Sequence, residues 1–197
     1  MNKPQDQKST ILIVPGLRDH VPDHWQTLLA AKLERVKTVP PLVSNKLSCA
    51  ERVESIQRTI ESINGPIIVV AHSAGVIMMA HWAVKYQRPI KGVLLATPPD
   101  LTRPMPQGYP TLEDLHSNGW LPVPQAPLPF ASIVAASEND PLASCALVAE
   151  MAKNWNSTLV NLGQVGHLNP ASGFGEWTQA MEFIERLENP QSDSTSQ

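Results

Sequence analysis

The chain contains little of what would suggest a nucleic-acid-binding or membrane-spanning protein. Charged residues make up only 17% of its 197 residues, and the formal net charge is −3. Because nucleic-acid binding needs a basic surface, this balance argues against a nucleic-acid partner. No apolar run approaches the length that crosses a bilayer, so we expect no membrane partner either.

Cysteine is also scarce, with only Cys49 and Cys145 in the chain. The segment from Met1 to Thr10 is polar and lacks the apolar core of a signal peptide. In that setting the two cysteines are expected to be reduced thiols that pack as small apolar side chains. We therefore predict a cytoplasmic protein.

Apolar runs alternate with amphipathic segments along most of the chain. The predicted strands are 10–14, 38–43, 67–71, 90–97, 130–136 and 158–162. The predicted helices are 24–36, 49–63, 74–87, 142–155 and 176–187. Such alternation implies right-handed crossovers, and hence an α/β fold of three layers with about six parallel strands and helices on both faces. We expect one domain over residues 10–188, with flexible ends at 1–9 and 189–197.

The alternation of apolar and amphipathic segments stops at residues 98–129, which are rich in proline and show no clear apolar period. This segment is too long for an ordinary connection within a compact domain. We predict that it forms a functional loop or a small cap over a site.

One serine lies between small residues, directly after an apolar run, in Ala71-His72-Ser73-Ala74-Gly75. A strand, a tight turn carrying one serine and a helix form the layout of a nucleophile elbow. The usual pattern has glycine at both small positions, whereas here the first is Ala71. We expect the elbow to form with Ser73 as the nucleophile.

A serine hydroxyl needs a base within hydrogen-bond reach, usually a histidine that a carboxylate orients. In this fold the chain order is serine, acid, histidine. His167 follows the sixth predicted strand and Asp140 follows the fifth, so we assign them as base and orienting acid. Glu138 lies two residues before Asp140 and remains the competing acid.

The resulting oxyanion would need two backbone N–H donors. By analogy with the fold, these are Ala74, directly after the nucleophile, and Leu17, behind Pro15-Gly16. Aromatic and imidazole side chains near these loops are candidates for the substrate pocket: His24, Trp25, His72, Tyr109 and Trp120. Tyr109 and Trp120 could equally anchor the proline-rich segment.

Two further patterns carry little weight. His20 and His24 have a metal-ligand spacing, but Pro22 between them prevents a continuous helix, so we expect no metal and no cofactor. Leu47-Ser48-Cys49-Ala50-Glu51 matches an L-x-C-x-E docking motif. Docking peptides of this kind bind in extended form, whereas this one overlaps a predicted helix start, so we assign no protein partner.

Five segments together resemble a known family: Ile13 to Gly16, His24-Trp25, Ala71 to Gly75, Ser137 to Pro141 and Gly166 to Asn169. The chain is similar, from about Ile11 to Leu187, to the small serine hydrolases related to retinoblastoma-binding protein 9. The resemblance implies an α/β-hydrolase fold, the same triad, a cytoplasmic setting and esterase-like activity on small acyl substrates.

The expected reaction is hydrolysis of carboxylic esters through an acyl-serine, with thioesters and activated amides as further candidate substrates. Two alternatives remain open at this point. An acyltransferase would use the same triad with an alcohol or amine in place of water. A non-catalytic binding module would keep the fold with the triad idle.

Overall fold

Six strands form one parallel sheet in the computed structural model, which describes residues 7–190. The strands are β1 (Thr10–Val14), β2 (Val36–Thr38), β3 (Ile67–His72), β4 (Gly92–Ala96), β5 (Ser132–Ala136) and β6 (Thr158–Asn161). Their order is β2-β1-β3-β4-β5-β6, and every neighbouring pair is parallel. The sequence-based fold prediction is therefore confirmed. The direction of winding reverses between β1 and β3, which is where ligands bind in open sheets of this type.

Helices cover both faces of the sheet. They are α1 (Trp25–Lys32), α2 (Cys49–Glu61), α3 (Ala74–Lys85), α4 (Leu112–Ser117), α5 (Cys145–Asn154) and α6 (Gln179–Glu188). Alternate strand residues enter opposite layers of the core, as the period of two requires. Val69 packs with the α2, α3 and α5 layer, whereas Val70 packs with the α1 and α6 layer.

The first helix and the second strand differ from the sequence prediction. Helix α1 ends at Lys32 instead of residue 36, and β2 occupies Val36–Thr38 instead of 38–43. Two consecutive prolines, Pro40 and Pro41, lack the N–H groups that a longer strand would need. The strand therefore uses the residues before them.

The proline-rich segment is held against the body of the protein. It contains helix α4, which the sequence analysis did not predict, with a capping box between Thr111 and Asp114. The indole N–H of Trp120 donates to the Leu47 carbonyl oxygen over 2.7 Å, and His81 Nε2 donates to the Trp120 carbonyl oxygen over 3.1 Å. We call residues 98–129 the cap from here on.

Most residues of the two ends that were predicted to be flexible fall outside the described residues, namely 1–6 and 191–197. Ser9 is buried, and its N–H donates to Glu188 at the other end of the domain over 3.3 Å. None of the helices in the described part of the chain is long and apolar enough to span a membrane.

Candidate active site

Ser73 occupies a strained turn between β3 and α3. Its φ of 55° lies in the left-handed region, and its N–H donates to the Ala96 carbonyl oxygen over 2.9 Å. At Gly75 a Cβ atom would lie 2.5 Å from the Val14 carbonyl oxygen, so only glycine fits there. Ala71 is fully buried in β3, and its methyl group packs in the core. The elbow therefore requires glycine after the serine, while it accommodates alanine before it.

Ser73, His167 and Asp140 lie in a continuous hydrogen-bonded line. The Ser73 hydroxyl is 2.8 Å from His167 Nε2, and His167 Nδ1 lies 2.9 and 3.0 Å from the two Asp140 carboxylate oxygens. The side chains of His167 and Asp140 are only 4% and 2% exposed. With Nδ1–H donating to Asp140, the imidazole presents its Nε2 lone pair to the serine hydroxyl.

The loop that follows β5, residues 137–141, contains both Glu138 and Asp140, and we call it the acid loop. Asp140 Oδ1 also accepts the Leu142 N–H over 2.9 Å, which holds the carboxylate toward His167. Glu138 is exposed, and its carboxylate accepts from Asn161 Nδ2 instead. The geometry therefore favours Asp140 as the partner of the histidine.

The two expected oxyanion donors border the same space as Ser73. Ala74 is the first residue of α3, and N–H groups in the first turn of a helix have no acceptor within the helix. Leu17 follows Gly16, where a Cβ atom would lie 3.3 Å from the Ser73 Cβ. The missing side chain lets the loop after β1 approach the serine, and both Leu17 and Ala74 line the adjoining cavity.

A cavity of about 140 Å³ opens beside the Ser73 hydroxyl. Four of the pocket candidates line it: His24, His72, Tyr109 and Trp120. Trp120 therefore both anchors the cap and forms part of the cavity wall. The prediction for Trp25 is wrong, because Trp25 is not among the residues that line the cavity. Its ring packs edge-on against Trp177 in the core, with 4.7 Å between the ring centroids.

Two further histidine rings lie beside His167. The centroid of His72 is 4.6 Å from that of His24 and 5.0 Å from that of His167. Burial, and then the nearby His167, lower the pKa of His24 to about 4. The same causes hold the pKa of the fully enclosed His72 well below its usual range. Both rings are therefore neutral near neutral pH.

The sequence analysis missed several residues that form the cavity. Leu101, Met105 and Leu115 come from the cap and give the cavity an apolar wall, and Arg18 lies at the loop after β1. Arg52 of α2 was also missed, although it donates to Asp19 over 2.9 Å and to the Leu17 carbonyl oxygen over 3.3 Å. No local motif marks these residues, since their role depends on how distant segments meet.

The two histidines with metal-ligand spacing, His20 and His24, each contact a group of their own segment. Within residues 7–190, no group of three or more histidine, cysteine, aspartate or glutamate side chains is placed to hold a metal ion. The His20 imidazole lies 3.5 Å from the Thr27 hydroxyl, and His24 Nδ1 accepts the Gln26 N–H as the N-cap of α1. Both spaced histidines therefore have local structural contacts.

The parallel sheet, the strained serine turn and the cavity at the carboxyl ends of the strands define an α/β-hydrolase. A family model described as serine hydrolase matches residues 11–186. The chain therefore belongs to the serine hydrolase family. The comparison with curated proteins finds no match.

Solved structures show the same architecture. A YdeN-like hydrolase from Pectobacterium atrosepticum is 27% identical, with a TM-score of 0.78 over 92% of this chain and 91% of that one. The ydeN gene product of Bacillus subtilis is 16% identical, with a TM-score of 0.70 over 91% and 98%. Est1E from Butyrivibrio proteoclasticus is 12% identical, with a TM-score of 0.65 over 94% and 87%. The last two share the fold.

Proposed function

We propose that this serine hydrolase cleaves carboxylic esters through an acyl-serine intermediate on Ser73. The observation that carries the proposal is the hydrogen-bonded line from Ser73 through His167 to Asp140 at the cavity. Hydrolysis of such esters needs an activated nucleophile, an oriented base and donors for the oxyanion, and candidates for each adjoin one another here.

His167 accepts the Ser73 hydroxyl proton at Nε2 while the Ser73 oxygen forms a bond to the ester carbonyl carbon. The carbonyl oxygen becomes an oxyanion, which the N–H groups of Leu17 and Ala74 stabilise. His167 then gives the proton to the departing alcohol as the ester C–O bond breaks, leaving an acyl-serine. Water repeats the sequence, releases the carboxylic acid and restores the serine. Asp140 stabilises the imidazolium in both halves.

The lining of the cavity supports an apolar acyl group. Apolar side chains of the cap form part of its wall: Leu101, Met105, Leu115 and Trp120. A short or medium acyl chain would bury its methylene groups there, at about 0.8 kcal/mol each. Thioesters and activated amides of the same acids fit the same chemistry.

Two finer expectations remain part of the proposal. One is the closer kinship with hydrolases related to retinoblastoma-binding protein 9, which rests on the five sequence segments named above. The other is a cytoplasmic location, in keeping with the unpaired thiols of Cys49 and Cys145.

Steady-state hydrolysis of p-nitrophenyl acetate, butyrate and octanoate tests the proposal. We expect turnover by the wild type and a loss in kcat of about 10⁴-fold or more in Ser73→Ala and His167→Ala. Ser44→Ala removes the hydroxyl of an exposed loop serine and serves as the matched control, with unchanged rates. Folded wild type without activity on any of the three esters would contradict the proposal.

A further inference from the structure

Side chains from three separate segments hold the peptide groups around His167. The Gly166 N–H donates to Asn139 Oδ1 over 2.7 Å, and the His167 N–H donates to the Ser172 hydroxyl over 2.9 Å. The His167 carbonyl oxygen accepts from His72 Nε2 over 2.9 Å. Both polar groups of the His167 backbone are therefore bonded to side chains, one from β3 and one from the loop beyond the histidine.

We propose that His72, Asn139 and Ser172 are positioning residues that clamp the backbone of Gly166 and His167, and so hold the imidazole in line between Ser73 and Asp140. The inference rests on the proposed function, because it assigns these residues to the alignment of the same triad. We call these three side chains the histidine clamp.

The loop that carries His167 needs such support. It connects β6 to α6 over residues 162–178 and contains only the short 3-10 turn Pro170–Ser172. Gly166 and Leu168 both have φ in the left-handed region, at 57° and 50°. A leucine in that region is strained, and surrounding contacts must stabilise it. Without them the loop would relax and move the imidazole.

The geometry of His72 fixes its role as a donor. Its acceptor is a backbone carbonyl, which has no proton to give, so Nε2 of His72 carries the hydrogen. The ring is 5% exposed and is enclosed between His24 and His167. The residue precedes Ser73 in the chain, so one element carries both the nucleophile and a tie to the base.

The other two members of the clamp are themselves held in place. The Ser172 hydroxyl donates to Asn169 Oδ1 over 2.8 Å, which turns a lone pair toward the His167 N–H. A Cβ atom at Gly166 would lie 2.5 Å from the Ser172 oxygen, so the close approach requires glycine. Asn139 Oδ1 also accepts from the Ser137 hydroxyl over 3.1 Å.

Asn139→Ala and Ser172→Ala test the clamp at exposed positions, where the fold should survive. Asn161→Ala is the matched control, because Asn161 also links the acid and histidine loops, through Glu138 and Gly163, without touching Gly166 or His167. We expect kcat for p-nitrophenyl butyrate to fall about 10- to 100-fold in the first two variants, with KM within about twofold. The control should keep wild-type kinetics.

At the buried position, His72→Phe keeps a ring without a donor, and His72→Gln places an amide N–H near the former Nε2. We expect the phenylalanine variant to lose kcat by a similar factor and the glutamine variant to recover part of it. Circular dichroism and thermal melting identify any variant that fails to fold. The two exposed variants then decide the question.

Amide hydrogen exchange of Gly166 and His167, followed by NMR, separates this inference from the proposed function. Exchange should accelerate in Asn139→Ala at Gly166 and in Ser172→Ala at His167, and stay unchanged in Asn161→Ala. Wild type that hydrolyses no ester would refute the proposed function, while exchange would still decide whether the clamp holds the loop. Exchange and kcat that match the control in both variants would overturn the clamp.

Discussion

At the scale of single residues, the acid loop contains two carboxylates, and only one of them contacts His167. Sequence order alone left Asp140 and Glu138 in competition, because both follow β5. Only the three-dimensional contacts separate them. The Asp140 side chain is 2% exposed and contacts His167, while the exposed Glu138 accepts a hydrogen bond from Asn161.

Replacement of each carboxylate by its amide should have very different effects. Asp140→Asn keeps the shape but removes the charge that stabilises the imidazolium and sets its tautomer, so we expect kcat to fall about 10³- to 10⁴-fold. Glu138→Gln should change kcat less than about threefold, because its side chain faces solvent. Ester kinetics on both purified variants measure this. Equal losses, or a greater loss in Glu138→Gln, would reassign the acid.

His24 combines a structural role with an unusual titration. Its Nδ1 accepts the Gln26 N–H at the start of α1, and its pKa is lowered to about 4 by burial and by His167. The unfolded chain binds the His24 proton near pH 6.5, whereas the folded protein binds it only near pH 4. Between these values the unfolded state holds more protons, so stability falls as the pH falls.

His24→Asn should make that loss of stability less steep. Asparagine is a good N-cap and does not titrate, so helix α1 keeps its start. We expect urea denaturation to give similar free energies of unfolding for both proteins at pH 7.5. Toward pH 4.5 the wild type should lose more than the variant. An identical decline in both would show that His24 does not carry this proton linkage.

At the scale of elements, helix α2 supports the loop after β1. Arg52 is 5% exposed, and its guanidinium donates to Asp19 and to the Leu17 carbonyl oxygen. Asp19 has a φ of 54°, so the loop turns sharply between Leu17, which we propose as an oxyanion donor, and α1. The helix thereby fixes the position of the Leu17 peptide.

Arg52→Met should cost both stability and rate. It keeps the aliphatic stem but leaves Asp19, at 19% exposure, without its partner. Breaking a buried pair from one side destabilises a protein by about 3 kcal/mol or somewhat more. We expect a drop of that order in the free energy of unfolding, together with a lower kcat. Lys91→Met, which breaks the more exposed pair with Glu188, should change both far less. Equal effects of the two variants would contradict a supporting role for α2.

The elements themselves were predictable to different degrees. The buried strands β1 and β3 were evident from continuous apolar runs, as expected for a parallel sheet covered on both faces. Helix α4 was missed because six residues are too few to show a helical period, although Thr111 and Asp114 have capping-box spacing. Trp25 was misplaced because its neighbour His24 does line the cavity, and the helix turns the tryptophan into the core.

At the scale of the whole molecule, the site lies where the direction of winding reverses, between β1 and β3. The loops after β1, β3, β5 and β6 meet there, because parallel strands bring their carboxyl ends to one edge of the sheet. Chain order and strand ends were therefore enough to predict that Ser73, Asp140 and His167 lie together. The cavity wall contributed by the cap could not be predicted, because it depends on contacts between segments far apart in sequence.

The most direct test of the central claim is reaction with a fluorophosphonate probe followed by intact mass measurement. The account predicts one adduct on wild type, none on Ser73→Ala, and much slower labelling of His167→Ala. Peptide mapping should place the adduct on Ser73. Labelling of Ser73→Ala to the same extent as wild type, or no adduct on folded wild type, would contradict the claim that Ser73 is the activated nucleophile.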